Sequence, residues 1–145
     1  MRIATTMHYK QQLSWGALLW IGLLTILACI CANSIVRFIA VTFLGVSTAF
    51  QPLQLPTIIV STVVYLLLAI AALLLVSRMS ARPVRAFRIV ATLCLLVSLL
   101  FPLMALTGIF PTSGMTVVVF WSMIAMHIVS AAIAIALLPV AISRG

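Results

Sequence analysis

Four long stretches of this sequence are continuously apolar, and that restricts the possible folds more than any other feature. They cover residues 14–44, 57–76, 89–107 and 115–142. A helix that crosses a hydrocarbon core of about 30 Å needs about 20 apolar residues, and each stretch supplies them. A membrane β-strand would instead alternate polar and apolar residues over about ten positions, and none of the four does. In lipid the backbone must satisfy its own polar groups, which selects helices for continuous runs. The expected fold is an all-α, integral membrane four-helix bundle forming a single transmembrane domain over residues 1–145.

The remaining composition supports this. Hydrophobic residues make up 66% of the 145, against about 45–50% in a soluble domain. There are eight Lys and Arg and no Asp or Glu. The basic residues punctuate apolar runs rather than covering a polar face, so nucleic acid is not an expected partner. The missing carboxylates exclude glycosidase pairs, Ser-His-Asp triads, calcium-binding EF-hands, di-iron carboxylate sites and magnesium-dependent phosphoryl transfer. The expectation is a chain that is not an enzyme, with no metal site and no cofactor.

Orientation follows from the distribution of basic residues, because short loops rich in Lys and Arg stay cytoplasmic. Arg2 and Lys10 precede the first stretch, Arg78, Arg82, Arg85 and Arg88 lie in the loop over 77–88, and Arg144 follows the fourth. The other two connections carry no charge. Both termini are therefore expected in the cytoplasm, with the chain in the plasma or inner membrane. Trp15, Trp20 and Trp121 suit interfacial belts. The four loop arginines serve as topology determinants and lipid-headgroup contacts, each worth on the order of 1 kcal/mol near an anionic leaflet. The first stretch resembles a signal sequence, with "ILAC" at Ile26–Cys29, but its apolar run continues to Leu44, so an uncleaved anchor is expected. Pro102 and Pro139 fall inside apolar runs and are expected to kink the third and fourth helices.

Three polar residues inside the spans are candidates for ligand or anion binding. Arg37 follows Ser14 by roughly 34 Å of helix, which puts it near the outer boundary. It either snorkels to phosphate or faces the bundle, where no acidic side chain exists to pair with it. Asn33 lies one turn earlier on the same face, and Gly22, Ile26 and Cys29 continue that stripe. His127 lies roughly 18 Å from the outer end of the fourth stretch, near the midplane, where it could bond across the bundle or handle protons. Asn33, Arg37 and His127 could line one cavity open to the outside. Cys29, Cys31 and Cys94 read as buried apolar residues, since Cys29 and Cys94 differ in depth by about 15 Å, too far for a disulfide. Small residues on the fourth helix, Ser122, Ala125, Ser130, Ala131, Ala134 and Ala136, and Ala69 and Ala72 on the second, permit close helix approach.

The pieces "ANSIVRFIAV", "FQPLQLPTII", "RPVRAFRIVA", "LLVSLLFPL" and "MHIVSAAIAIAL" touch all four spans. In their order and spacing the chain resembles a family of small four-helix bacterial membrane proteins labelled as a domain of unknown function. The resemblance implies that Asn33, Arg37, Pro52, Pro56, Pro83, Arg85, Pro102 and His127 are signature positions. It also implies an acid just after the third-helix proline, where this chain has Leu103. It supplies a fold and no activity.

Function is expected to be non-enzymatic: binding of a lipid or amphiphile, or packing as an accessory membrane subunit. Partners would be membrane lipids, other membrane subunits or further copies of the chain. The alternative is a small oligomeric transporter or channel with an anion-favouring polar seam. Small multidrug carriers of similar size rely on a membrane carboxylate, which argues against cation export here. A haem or redox subunit using His127 is the third reading. A lateral groove would favour ligand binding, and a solid core would leave only the accessory role.

Overall fold

The computed structural model describes residues 12–143. Helix α1 (Trp15–Phe43), α2 (Leu55–Met79), α3 (Pro83–Ser98), α4 (Leu100–Leu106) and α5 (Val117–Leu137) carry the fold. Four helical segments are long and apolar enough to cross a membrane: α1, α2, α3 with α4, and α5 with the turn that follows it. Large hydrophobics cover their outer surfaces, including Leu19, Leu24, Phe38, Leu68, Leu96 and Val140. Water would not tolerate such a surface, whereas lipid tails would.

The helix boundaries have local causes. Ser14 caps α1 by accepting the Ala17 N–H, and Thr116 caps α5 by accepting the Val119 N–H. A capping oxygen of this kind satisfies one of the orphan donors of a first turn. Pro56 and Pro83 sit in the first turns of α2 and α3, where a missing N–H does no harm. Gly45 and Gly108, at φ +69° and +78°, turn the chain away beyond α1 and α4. Beyond each, an N–H reaches back to the helix, Val46 to the Ala40 carbonyl and Phe110 to that of Met104.

The structure departs from the sequence expectation at the 77–88 loop and at Pro139, and meets it at Pro102. The loop expected over 77–88 shrinks to a short link, because α2 continues to Met79 and α3 begins at Pro83. Arg85 and Arg88 therefore stand on the exposed side of the first turns of α3. Pro102 breaks the third span one turn ahead of itself, at Leu99, because it has no N–H to offer the Ser98 carbonyl. Pro139 does not kink the fourth helix. It lies in a 3-10 turn, Leu138–Ala141, that ends the helix.

After that turn, β2 (Ile142–Ser143) pairs antiparallel with β1 (Gln12–Leu13). The two ends of the described chain thus meet on the face that also carries the α2–α3 link. Arg2, Lys10, His8 and Arg144 lie outside the described residues.

The helices form a four-cornered bundle. Helix α1 packs on α5 and α2, and α3 packs on α2 and α5. The interior has two apolar clusters. One, near the arginine face, contains Leu18, Leu66, Leu73, Phe87 and Leu138. The other, near the opposite face, contains Ala40, Phe50, Leu53, Ile58 and Met123. A polar layer containing Asn33, Thr62 and Ser130 joins them.

Candidate functional site

The buried stripe of α1 runs Leu18, Gly22, Thr25, Cys29, Asn33, Ala40, at the three-, four- and seven-residue steps of one helix face. Gly22 lets α2 approach: a Cβ there would stand 3.0 Å from Ile70 Cδ1. Asn33 then reaches both neighbouring helices. Its Nδ2 donates to Thr62 Oγ1 on α2 at 3.1 Å and to Ser130 Oγ on α5 at 3.0 Å. Ser130 returns a hydrogen bond to Asn33 Oδ1 at 3.2 Å. Three helices are joined through one amide, and both of its hydrogens are used. Nearby hydroxyls satisfy themselves: Thr25 donates to the Ile21 carbonyl and Ser122 to that of Val118.

Beside this layer a groove of about 340 Å³ runs between the second and third spans. That volume lies at the lower end of small-molecule sites, about 300–1,000 Å³. Thr57, Ser61, Tyr65, Ala69 and Ala72 form the α2 wall, and Phe87, Ala91, Cys94, Ser98 and Phe101 form the opposite wall. Met126, His127, Ser130, Ala131 and Ala134 of α5 form the floor, joined by Asn33 of α1. Tyr65 and Phe101 are exposed at the rim, at 64% and 50% of their surface, so the groove opens sideways toward lipid. At the face opposite the arginines it reaches Pro52 and Leu53.

The sequence candidates separate here. Asn33 and His127 both line the groove, and Arg37 does not. Arg37 is half-buried, and its Nε donates to the Leu53 carbonyl at 2.7 Å. It thus ties the end of α1 to the connection before α2, one residue beyond the groove's wall. His127 does not bond across the bundle: its Nδ1 meets the Met123 carbonyl of its own helix at 2.7 Å. The seam expected through Asn33, Arg37 and His127 is therefore interrupted between the first residue and the second.

Other placements differ from the reading of the sequence. Cys29 is buried, with Sγ 3.7 Å from the Ser130 carbonyl, but Cys31 and Cys94 are exposed. They lie on helix surfaces that face lipid or the groove. Arg78, Arg82, Arg85 and Arg88 are all exposed at one face, and the last three border a shallow concavity with Ala81 and Val84. Ser130, Ala131 and Ala134 were expected to draw helices together, yet on this side of α5 they leave the space that is the groove.

Ser61, Tyr65 and Ser98 were missed among the sequence candidates. A signal for the α2 wall was present: Thr57, Ser61, Tyr65, Ala69 and Ala72 step by four, four, four and three residues. That is one helix face carrying polar and small residues through an otherwise apolar span. Ser98 had a weaker signal of the same kind, since Phe87, Ala91, Cys94 and Ser98 step by four, three and four residues along α3.

No curated protein and no solved structure matches this chain. A family model, described as a family of unknown function (DUF6069), matches residues 14–144. That match takes in every span and every groove-lining residue, so the chain belongs to this family of unknown function.

Proposed function

We propose that this is a non-enzymatic protein of the plasma or inner membrane, with both termini cytoplasmic, that takes a lipid chain or small amphiphile into the lateral groove. The observation that carries this reading is the groove itself. It has apolar walls, a rim open at the lipid-facing side and a polar strip part-way along its floor. This arrangement of apolar lining with a few placed polar groups is that of small-molecule sites in general. The distance from Thr57 to Ala72, roughly 22 Å of helix, suits an extended alkyl chain. The position of Arg37, off the groove and engaged with the Leu53 carbonyl, favours ligand binding over an anion path through the bundle. Orientation rests on Arg78, Arg82, Arg85 and Arg88 standing at one face.

Native mass spectrometry of the detergent-purified protein tests the reading. The wild-type chain should retain a lipid or amphiphile mass, and Ala131→Trp, which fills the floor of the groove, should lose it. A wild-type chain free of bound mass, or equal occupancy in the filled variant, would refute it.

A further inference from the structure

The polar strip of the groove has a bias in hydrogen bonding. Ser61 spends its proton on the Ile58 carbonyl at 3.1 Å, and Ser98 spends its own on the Leu95 carbonyl at 2.7 Å. Both side chains therefore show the groove lone pairs. The bias is firmest at His127. A carbonyl only accepts, so the 2.7 Å contact with Met123 places the ring proton on Nδ1. In a neutral imidazole this leaves Nε2 as a bare acceptor. Among the described residues no hydrogen bond reaches Nε2, and no buried side-chain polar atom is left without a partner. Nε2 is therefore accessible, on a residue that lines the groove. The Asn33 amide cannot offset this bias, because both its hydrogens are committed. Thr57, Thr62 and Tyr65 can serve either way, so the fixed preference comes from Ser61, Ser98 and above all His127.

We propose that the groove selects a neutral amphiphile bearing a hydroxyl, such as a long-chain alcohol, whose O–H donates to His127 Nε2 near mid-depth. Ketones, ethers and esters bring only acceptors and meet lone pairs at Ser61, Ser98 and His127. A cationic amphiphile could donate, but the chain has no Asp or Glu to balance its charge, and an unpaired cation at that depth is costly. A hydroxyl at mid-membrane has no water to bond, so a fixed acceptor there gives it a reason to enter. This inference rests on the groove being a ligand site.

The test titrates the purified full chain with dodecanol and with dodecyl methyl ether, matched in chain, and follows binding by native mass spectrometry. Dodecanol should bind roughly 3–10-fold more tightly, the worth of one hydrogen bond. His127→Phe should erase that preference while leaving ether affinity in place. A nitrogen NMR measurement keeps the idea falsifiable if the variant does not fold. In a chain carrying His8→Gln, the Nε2 resonance of His127 should move with dodecanol and not with the ether. Equal binding of the two probes, or a preference that survives in His127→Phe, overturns the hydroxyl assignment and leaves the groove as a site. Binding of neither probe overturns both.

Discussion

Replacing Asn33 with Leu should loosen the bundle by about 1–3 kcal/mol, the sum of two interhelical pairings that average ~0.6 and reach ~1.7 kcal/mol each in membranes. The pairings are those to Thr62 at 3.1 Å and to Ser130 at 3.0 and 3.2 Å. Two further costs are absent. Leu has the branched shape and heavy-atom count of Asn and is the larger of the two, so no cavity opens. The abandoned hydroxyls need not stay unsatisfied either, because Thr62 and Ser130 can each turn to the carbonyl four residues earlier. Thr25 and Ser122 already do this. The same substitution in a soluble core would add the desolvation of each orphan, about 1–3 kcal/mol apiece. The assay is reversible unfolding in detergent micelles, with Asn33→Leu, Ser130→Ala and the double variant compared in one cycle. The coupling between the two sites should fall within roughly 0.6–1.7 kcal/mol. Coupling indistinguishable from zero, or an Asn33→Leu chain as stable as wild type, would show that the triad does not hold the three helices together.

Three further outcomes are expected. Arg37→Ala removes a charged donor from the Leu53 carbonyl, worth about 1.5–3 kcal/mol. Hydrogen exchange over residues 46–54 should speed up while the helix centres keep their protection. Gly114→Ala should lower the unfolding temperature by an amount reflecting roughly 1–2 kcal/mol, since Gly114 has φ +81° and a Cβ there would lie 3.3 Å from Phe50 Cδ2. In the proposed orientation, a membrane-impermeant thiol reagent added to intact cells should label Ser113→Cys and reach Ala81→Cys only after permeabilisation. The reverse pattern would invert the proposed orientation.

The spans were legible because their signal is the sum of many residues. Any run of some twenty apolar side chains reads the same way whatever its neighbours, and α1, α2 and α5 emerged within a few residues at most ends. The boundaries that shifted are those where a charge does not end a helix. Arg85 and Arg88 looked like loop residues, yet an exposed arginine fits the first turns of a helix whose other face buries Phe87. Asn33 was legible as an inward residue because Gly22, Cys29 and Asn33 share a helical period. The groove was not legible. A small residue such as Ala131 permits close approach where a partner helix comes near and leaves a void where it does not. Which of these occurs depends on how α2 and α3 sit around α5, a property of the assembled bundle rather than of any stretch of chain.

The same reasoning shifts attention from Arg37 to His127. In a sequence with eight cations and no anions, the basic residue apart from the rest looks like the place where function must lie. The structure gives that residue a partner, the Leu53 carbonyl, and a position outside the groove. His127 stood second to it as a candidate, expected to bond across the bundle, and it bonds instead to the Met123 carbonyl of its own helix. That ordinary bond leaves the second ring nitrogen uncommitted, on a residue of the groove's floor. The interior polar groups around it, Asn33, Ser130, Ser61 and Ser98, are each engaged with one another or with their own helices. An acceptor left over in so thoroughly paired a set is a stronger pointer to a ligand than a charge that the fold itself has engaged, and it is the first position to probe with a donor.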